Sequence, residues 1–131
     1  LLALLGNVVG KNQCPVPSIV LPYYRVVSPL GVVPEPVEGC YPLVPLGYSY
    51  NALEPFKDRV TMSYHHGRLW ADETNALNKY LRELGACYDI IQILAAPAGS
   101  PITKSPLYEE LKYYGGAFVN HALWFDEIGP Q

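Results

Sequence analysis

SPLYEELKYYGGAFVNHALWF, residues 105–125, is the stretch whose reading decides the fold. Leu107, Leu111, Tyr114, Phe118, His121 and Phe125 recur at alternating steps of four and three, which is one stripe of an α-helix. Ser105 is placed as N-cap and Pro106 at the first helical position. Glu109 and Glu110 follow in the first turns, where the helix dipole favours anions. Gly129-Pro130 ends the helix. Gly115-Gly116 in its middle costs helix stability, so the pair marks a bend or the close approach of another backbone.

Working back along the chain, a second helix is expected from about Glu54 to Leu84, with Pro55 in its first turn. Met62, His65, Leu69, Ala76, Tyr80 and Leu84 fall at helical spacings and define its expected inner face. Gly85 stands where a helix stop belongs. The connector, about residues 85–104, contains Ile90-Ile91-Gln92-Ile93-Leu94, a run that fits either a helical turn or a buried strand. Two helices joined in this way pack antiparallel. The fold class is therefore mainly α: an antiparallel two-helix hairpin over residues 46–131, preceded by a long extended Pro-rich arm, residues 1–45.

The arm is unlike the hairpin. The first 50 residues hold eight of the 13 prolines and only four charges, Lys11, Arg25, Glu35 and Glu38. Proline at this density forbids helices and central strands. Disordered linkers are polar and charged, whereas this segment is rich in Val, Leu and Tyr. It is read as an arm laid over a partner's surface, the alternative being a maturation segment.

Across the whole chain only 16% of residues are charged and the net charge is −3. That balance argues against direct nucleic-acid binding, which needs a surplus of Lys and Arg. No apolar run approaches the ~18 residues of a membrane span. Leu1-Leu2-Ala3-Leu4-Leu5 is too short for a leader and lacks a basic region before it. The absence of an initial Met points to a processed or partial chain. Cys14, Cys40 and Cys87 make an odd count without metal-ligand spacing, and reduced, incidental thiols are expected.

Each helical stripe carries one histidine, His65 and His121, which antiparallel packing would bring face to face. Such a pair either begins a metal site or is a hydrogen-bonded core contact. Local sequence adds weight to the first. Tyr50-Asn51-Ala52-Leu53-Glu54-Pro55, Thr61-Met62-Ser63-Tyr64-His65-His66-Gly67, Leu77-Asn78 and the 115–125 segment with Asn120-His121 resemble, in order, the N-terminal helical hairpin of iron/manganese superoxide dismutases. The resemblance covers about residues 46–128.

It implies that His65 and His121 are the first and second metal ligands, for iron or manganese if the site is retained. The family's third and fourth ligands, an Asp and a His, belong to an Asp-x-Trp-x-x-His segment that these 131 residues do not contain. His66 adjoins His65 and points to a different face. Departures occur inside the hairpin as well. Arg68 could stand for the family's Lys, but Leu69 and Trp70 occupy its second His-His, and Glu73 falls at the Tyr that gates substrate entry. A carboxylate there repels an anion such as superoxide. Two imidazoles without an anionic ligand do not set a redox potential.

The expectation is therefore no catalytic residue and no cofactor in this chain alone. It reads as a superoxide-dismutase-like accessory subunit that binds other protein subunits through residues 1–45. Its place would be peripheral to a large organellar complex, plastid or mitochondrial, with respiratory or photosynthetic membrane complexes preferred to a ribosome. The alternative is an iron/manganese superoxide dismutase seen as an incomplete chain.

Overall fold

A computed structural model describes residues 37–130. The readings that concern Leu1–Leu5, Cys14 and the arm up to residue 36 lie outside the described residues.

The first long helix starts later than expected. Residues 50–57 form turns, and Pro55 lies in them after a cis peptide bond from Glu54. Asp58 caps the helix: its side chain accepts from Thr61 N at 2.8 Å and Thr61 Oγ1 at 2.7 Å. Helix α1 (Arg59–Tyr64) passes into a π-helical stretch (His65–Trp70) and then α2 (Ala71–Leu84) without leaving right-handed helical dihedrals at either junction. Gly85 ends it in the left-handed conformation at φ 74°, and its N–H donates to Arg82 O and Leu81 O.

The ambiguous run at 90–94 is helical: α3 (Ile90–Leu94) is capped by Asp89, whose side chain accepts from Ile91 N. Helix α4 (Tyr108–Glu127) begins three residues beyond Ser105. The Ser105 hydroxyl instead accepts from Leu107 N at 3.2 Å in the preceding turn, and α4 has no side-chain cap.

Helix α4 packs against both α2 and α3. The α4 stripe is as the spacing predicts: Leu111, Phe118 and Phe125 are buried, and Leu107, Tyr114 and His121 partly so. Gly115 meets not a backbone but the side chain of Ile90, which a Cβ would approach at 3.4 Å.

The buried face of the first helix differs from the expected stripe. It runs through Met62, Ser63, His66, Trp70, Ala71, Thr74, Leu77, Asn78 and Leu81, whereas Leu69 is exposed. Four of these residues are polar, and two of them explain the shift: His66 and Asn78 bond to a segment, residues 37–50, that covers this face. Asn78 Oδ1 accepts from Tyr41 N at 2.8 Å while Asn78 Nδ2 donates to Tyr41 O at 2.7 Å. Gly39 crosses so close that a Cβ would sit 2.5 Å from Asn78 Cγ, and at φ 138° only glycine is comfortable there. Val37, Cys40, Tyr41, Leu43, Leu46 and Tyr50 are all buried in the same core. Residues 37–45, counted above with the arm, thus pack on the hairpin itself.

The cysteine expectation is corrected by the same segment. Cys40 and Cys87 are joined by a disulfide across a sequence separation of 47.

Candidate metal centre

His65 sits where the π-helical stretch begins, and His121 comes from the last third of α4. Packing of the two helices brings their imidazoles together as expected, with Nε2 to Nε2 at 3.1 Å and the rings nearly perpendicular at 88°. Trp124 lies 4.4 Å and Phe125 5.1 Å from the His65 ring centroid and forms an aromatic wall.

The tautomers follow from the outer nitrogens. His121 Nδ1 faces two acceptors, Ala117 O at 3.0 Å and Glu73 Oε2 at 2.8 Å, so it carries the proton. Nε2 of His121 is then a lone-pair donor atom. With both rings neutral, His65 Nε2–H donates to it. Burial foremost, then the His121 and Lys57 charges, hold the His65 pKa below its ordinary value, which keeps this ring neutral.

Glu73 is therefore more than a residue at the rim. Its carboxylate contacts the far side of a ligand-position imidazole, yet Oε2 receives no well-directed hydrogen, because the Nδ1–H of His121 points to the Ala117 carbonyl. The 2.8 Å approach is a polar contact with the ring edge, and the bond to Ala117 is the directed one. Burial outweighs the His121 attraction and raises the Glu73 pKa, with Asp72 adding to the rise.

The other two entrance positions part company. Leu69 is on the surface at 49% exposure. Trp70 is 1% exposed and stacks on Phe125 and His121 at centroid distances of 5.3 and 6.1 Å. Its indole fills the space behind the imidazoles, and its Nε1 finds no acceptor among the described residues.

His66, set aside in the sequence as pointing elsewhere, is the best-held histidine of the molecule. It is fully buried, with Nε2 2.7 Å from Val44 O and Nδ1 3.0 Å from the Tyr50 hydroxyl. The carbonyl can only accept, so Nε2 carries the proton and Nδ1 accepts from Tyr50. Burial pushes its pKa down to about 4, so the ring is neutral. Neither Tyr50 nor Val44 announces this role by spacing. The adjacent apolar segment and the His-His pair were the available signals.

As a donor set, the pair suits one shared first-row transition ion through two Nε2 atoms. Among the described residues no third His, Cys, Asp or Glu joins them in a metal-sized group. The residues present therefore do not by themselves make the three-to-four-ligand site that a redox ion needs.

Comparison with known proteins is consistent with this geometry. Residues 40–129 match the family model of iron/manganese superoxide dismutases, alpha-hairpin domain. The mitochondrial manganese superoxide dismutase of Aspergillus fumigatus is 30% identical over 91 residues, covering 70% of this chain and 40% of that protein. The manganese superoxide dismutase of Pseudomonas aeruginosa is 34% identical over 93 residues, covering 68% of this chain and 43% of that protein. The chain thus spans about two fifths of the length of the curated relatives it matches. No solved structure gives a significant match.

Proposed function

The chain belongs to the iron/manganese superoxide dismutase family, and from that premise we propose that it is a non-catalytic, superoxide-dismutase-like accessory subunit. The observation that carries this reading is the rebuilt surroundings of the histidine pair. Glu73, where the family resemblance places a gating Tyr, puts a carboxylate 2.8 Å from His121 Nδ1. Superoxide is an anion, and a carboxylate beside the pair opposes its approach, whereas steering relies on positive charge. A phenol at that position is a neutral proton donor. A carboxylate, when ionised, only accepts hydrogen bonds. His65 and His121 then serve as a hydrogen-bonded contact between the two helices rather than as half of a working centre.

The apolar N-terminal arm is the proposed means of docking, on other protein subunits of a large organellar complex, respiratory or photosynthetic. Residues 37–45 are already committed to the hairpin core, so docking falls to residues 1–36. Mitochondrial and bacterial dismutases both appear among the relatives. No described helix is long and apolar enough to cross a membrane.

A second reading is favoured by one distance. The Nε2 atoms are 3.1 Å apart and converge, as two ligands of one iron or manganese ion would. On that reading the chain is part of an active dismutase and the remaining ligands come from residues outside it. Purification of the native protein with its partners separates the two. The accessory reading expects the chain to co-purify with a larger complex, and deletion of residues 1–36 to release it. Stoichiometric iron or manganese together with dismutase activity in the purified material supports the second reading and removes the first.

A further inference from the structure

Cys40 and Cys87 are not ligands, and nothing in the family reading uses them. Their bond lies at a mechanical junction. Cys40 is the first residue of the family match and lies within the segment, residues 37–50, that covers the first helix. Cys87 follows α2, two residues beyond its Gly85 stop. The disulfide therefore rivets the entering segment to the loop at the far end of the helix it covers. The non-covalent ties around it run between the same elements: Tyr41 to Asn78, the Tyr41 hydroxyl to Tyr88 O at 2.9 Å, and Arg82 to Glu38 O at 3.1 Å.

We propose that Cys40–Cys87 is a structural disulfide, formed in a thiol-oxidising compartment, that locks residues 37–50 onto the helical hairpin. This inference is independent of whether the histidine pair holds a metal. Three observations argue for it. First, both cysteines are almost fully buried, at 4% and 2% exposure, so a reductant reaches the bond only after the segment lifts. Second, the segment held down contains the partners of His66 and Asn78, so lifting it breaks their hydrogen bonds and uncovers the apolar residues packed beside them. Third, the closed loop is long, with a sequence separation of 47, and long loops draw the largest entropic benefit from closure.

The chemistry balances with an external disulfide oxidant, either a dithiol–disulfide oxidoreductase or a low-molecular-weight disulfide. One cysteine thiolate attacks the oxidant's S–S bond and releases one thiolate as a mixed disulfide forms. The second cysteine thiolate attacks the protein-side sulfur of that intermediate and expels the other. The protein loses two protons and two electrons, and the oxidant leaves as two thiols. Cytosol and comparable reducing spaces do not sustain such bonds, whereas secretory lumens, the periplasm and the extracellular face do. Within the organellar setting proposed above, the bond would confine the chain to a thiol-oxidising space and exclude a reducing one.

The test begins with the full-length protein from its native source, with free thiols trapped by N-ethylmaleimide before lysis and digestion carried out without reduction. The expected result is one joined peptide pair containing Cys40 and Cys87. Alkylation of both, or pairing of either with Cys14, overturns the proposal. The second measurement is denaturant unfolding of the full chain with and without a phosphine reductant. Reduction is expected to raise the unfolding constant about a thousandfold by the loop-entropy relation, and complete loss of folding also supports the lock. A Cys40→Ala/Cys87→Ala variant should match the reduced protein and ignore the reductant. A change of less than about tenfold contradicts a structural role.

Discussion

His65 and His66 are neighbours in the chain and opposites in environment. His66 is fully buried, and both of its ring nitrogens are engaged by the segment that covers the first helix. His65 lies at the edge of the helix seam, half-buried, and its Nε2 meets only another imidazole. One residue of helical rotation separates a structural histidine from a ligand-position histidine. The two sides of this helix differ in what covers them. The side under residues 37–50 is closed, and its His66 and Asn78 side chains are bonded to the covering segment. The side carrying the pair bears Glu73, Leu69 and Trp70 where the family resemblance places a Tyr and a second His-His.

The contrast can be broken by mutation, and the largest effect belongs to His66. His66→Ala removes partners from Val44 O and the Tyr50 hydroxyl and leaves a cavity, which should cost about 3 kcal/mol of folding stability in denaturant titration. His65→Ala should cost under about 1 kcal/mol, because its ring is half-exposed. Equal costs for the two would erase the distinction. Next in size is the effect of pH. His66 titrates near 6.5 when unfolded and at about 4 when folded. Its neutral-state stabilisation is therefore full above about 6.5 and is lost as pH falls towards 4, by on the order of 3 kcal/mol in all. The acid slope should flatten in His66→Gln, whose amide can serve Val44 and Tyr50 without titrating in this range. Asn78→Ala comes third, at about 2 kcal/mol, since it leaves both the N–H and the C=O of Tyr41 unpaired. The smallest effect is at Glu73. Glu73→Gln should shift stability by less than about 1 kcal/mol, since His121 Nδ1 keeps its bond to Ala117.

Much of this was legible in the sequence, but unevenly. The α4 stripe was read correctly because its neighbours are apolar, so burial and hydrophobicity coincide from Leu111 to Phe125. The buried face of the first helix is not legible in the same way, because Ser63, His66, Thr74 and Asn78 stand in it among apolar residues and their burial is offset by hydrogen bonds that hydropathy does not register. Its start was misplaced for a related reason. Pro55 suits a first turn, but the Asp58 side chain bonded to Thr61 is the stronger cap, and the turns at 50–57 consume the intervening residues. The histidine pair was found from spacing and family resemblance together. The contact of Glu73 with His121 was not, because it joins two helices and depends on which rotamer a carboxylate chooses. The disulfide was missed because an odd cysteine count, without geometry, favours no pairing.

On the proposed reading this hairpin keeps the scaffold of its family and not the chemistry, and a catalytic assay tests that directly. The native protein, purified with its partners, should be assayed for superoxide decay and for bound iron and manganese in the same sample. No dismutation beyond that of the buffer and no stoichiometric metal are expected. Dismutation that disappears in His65→Ala, accompanied by one iron or manganese per chain, would contradict that reading.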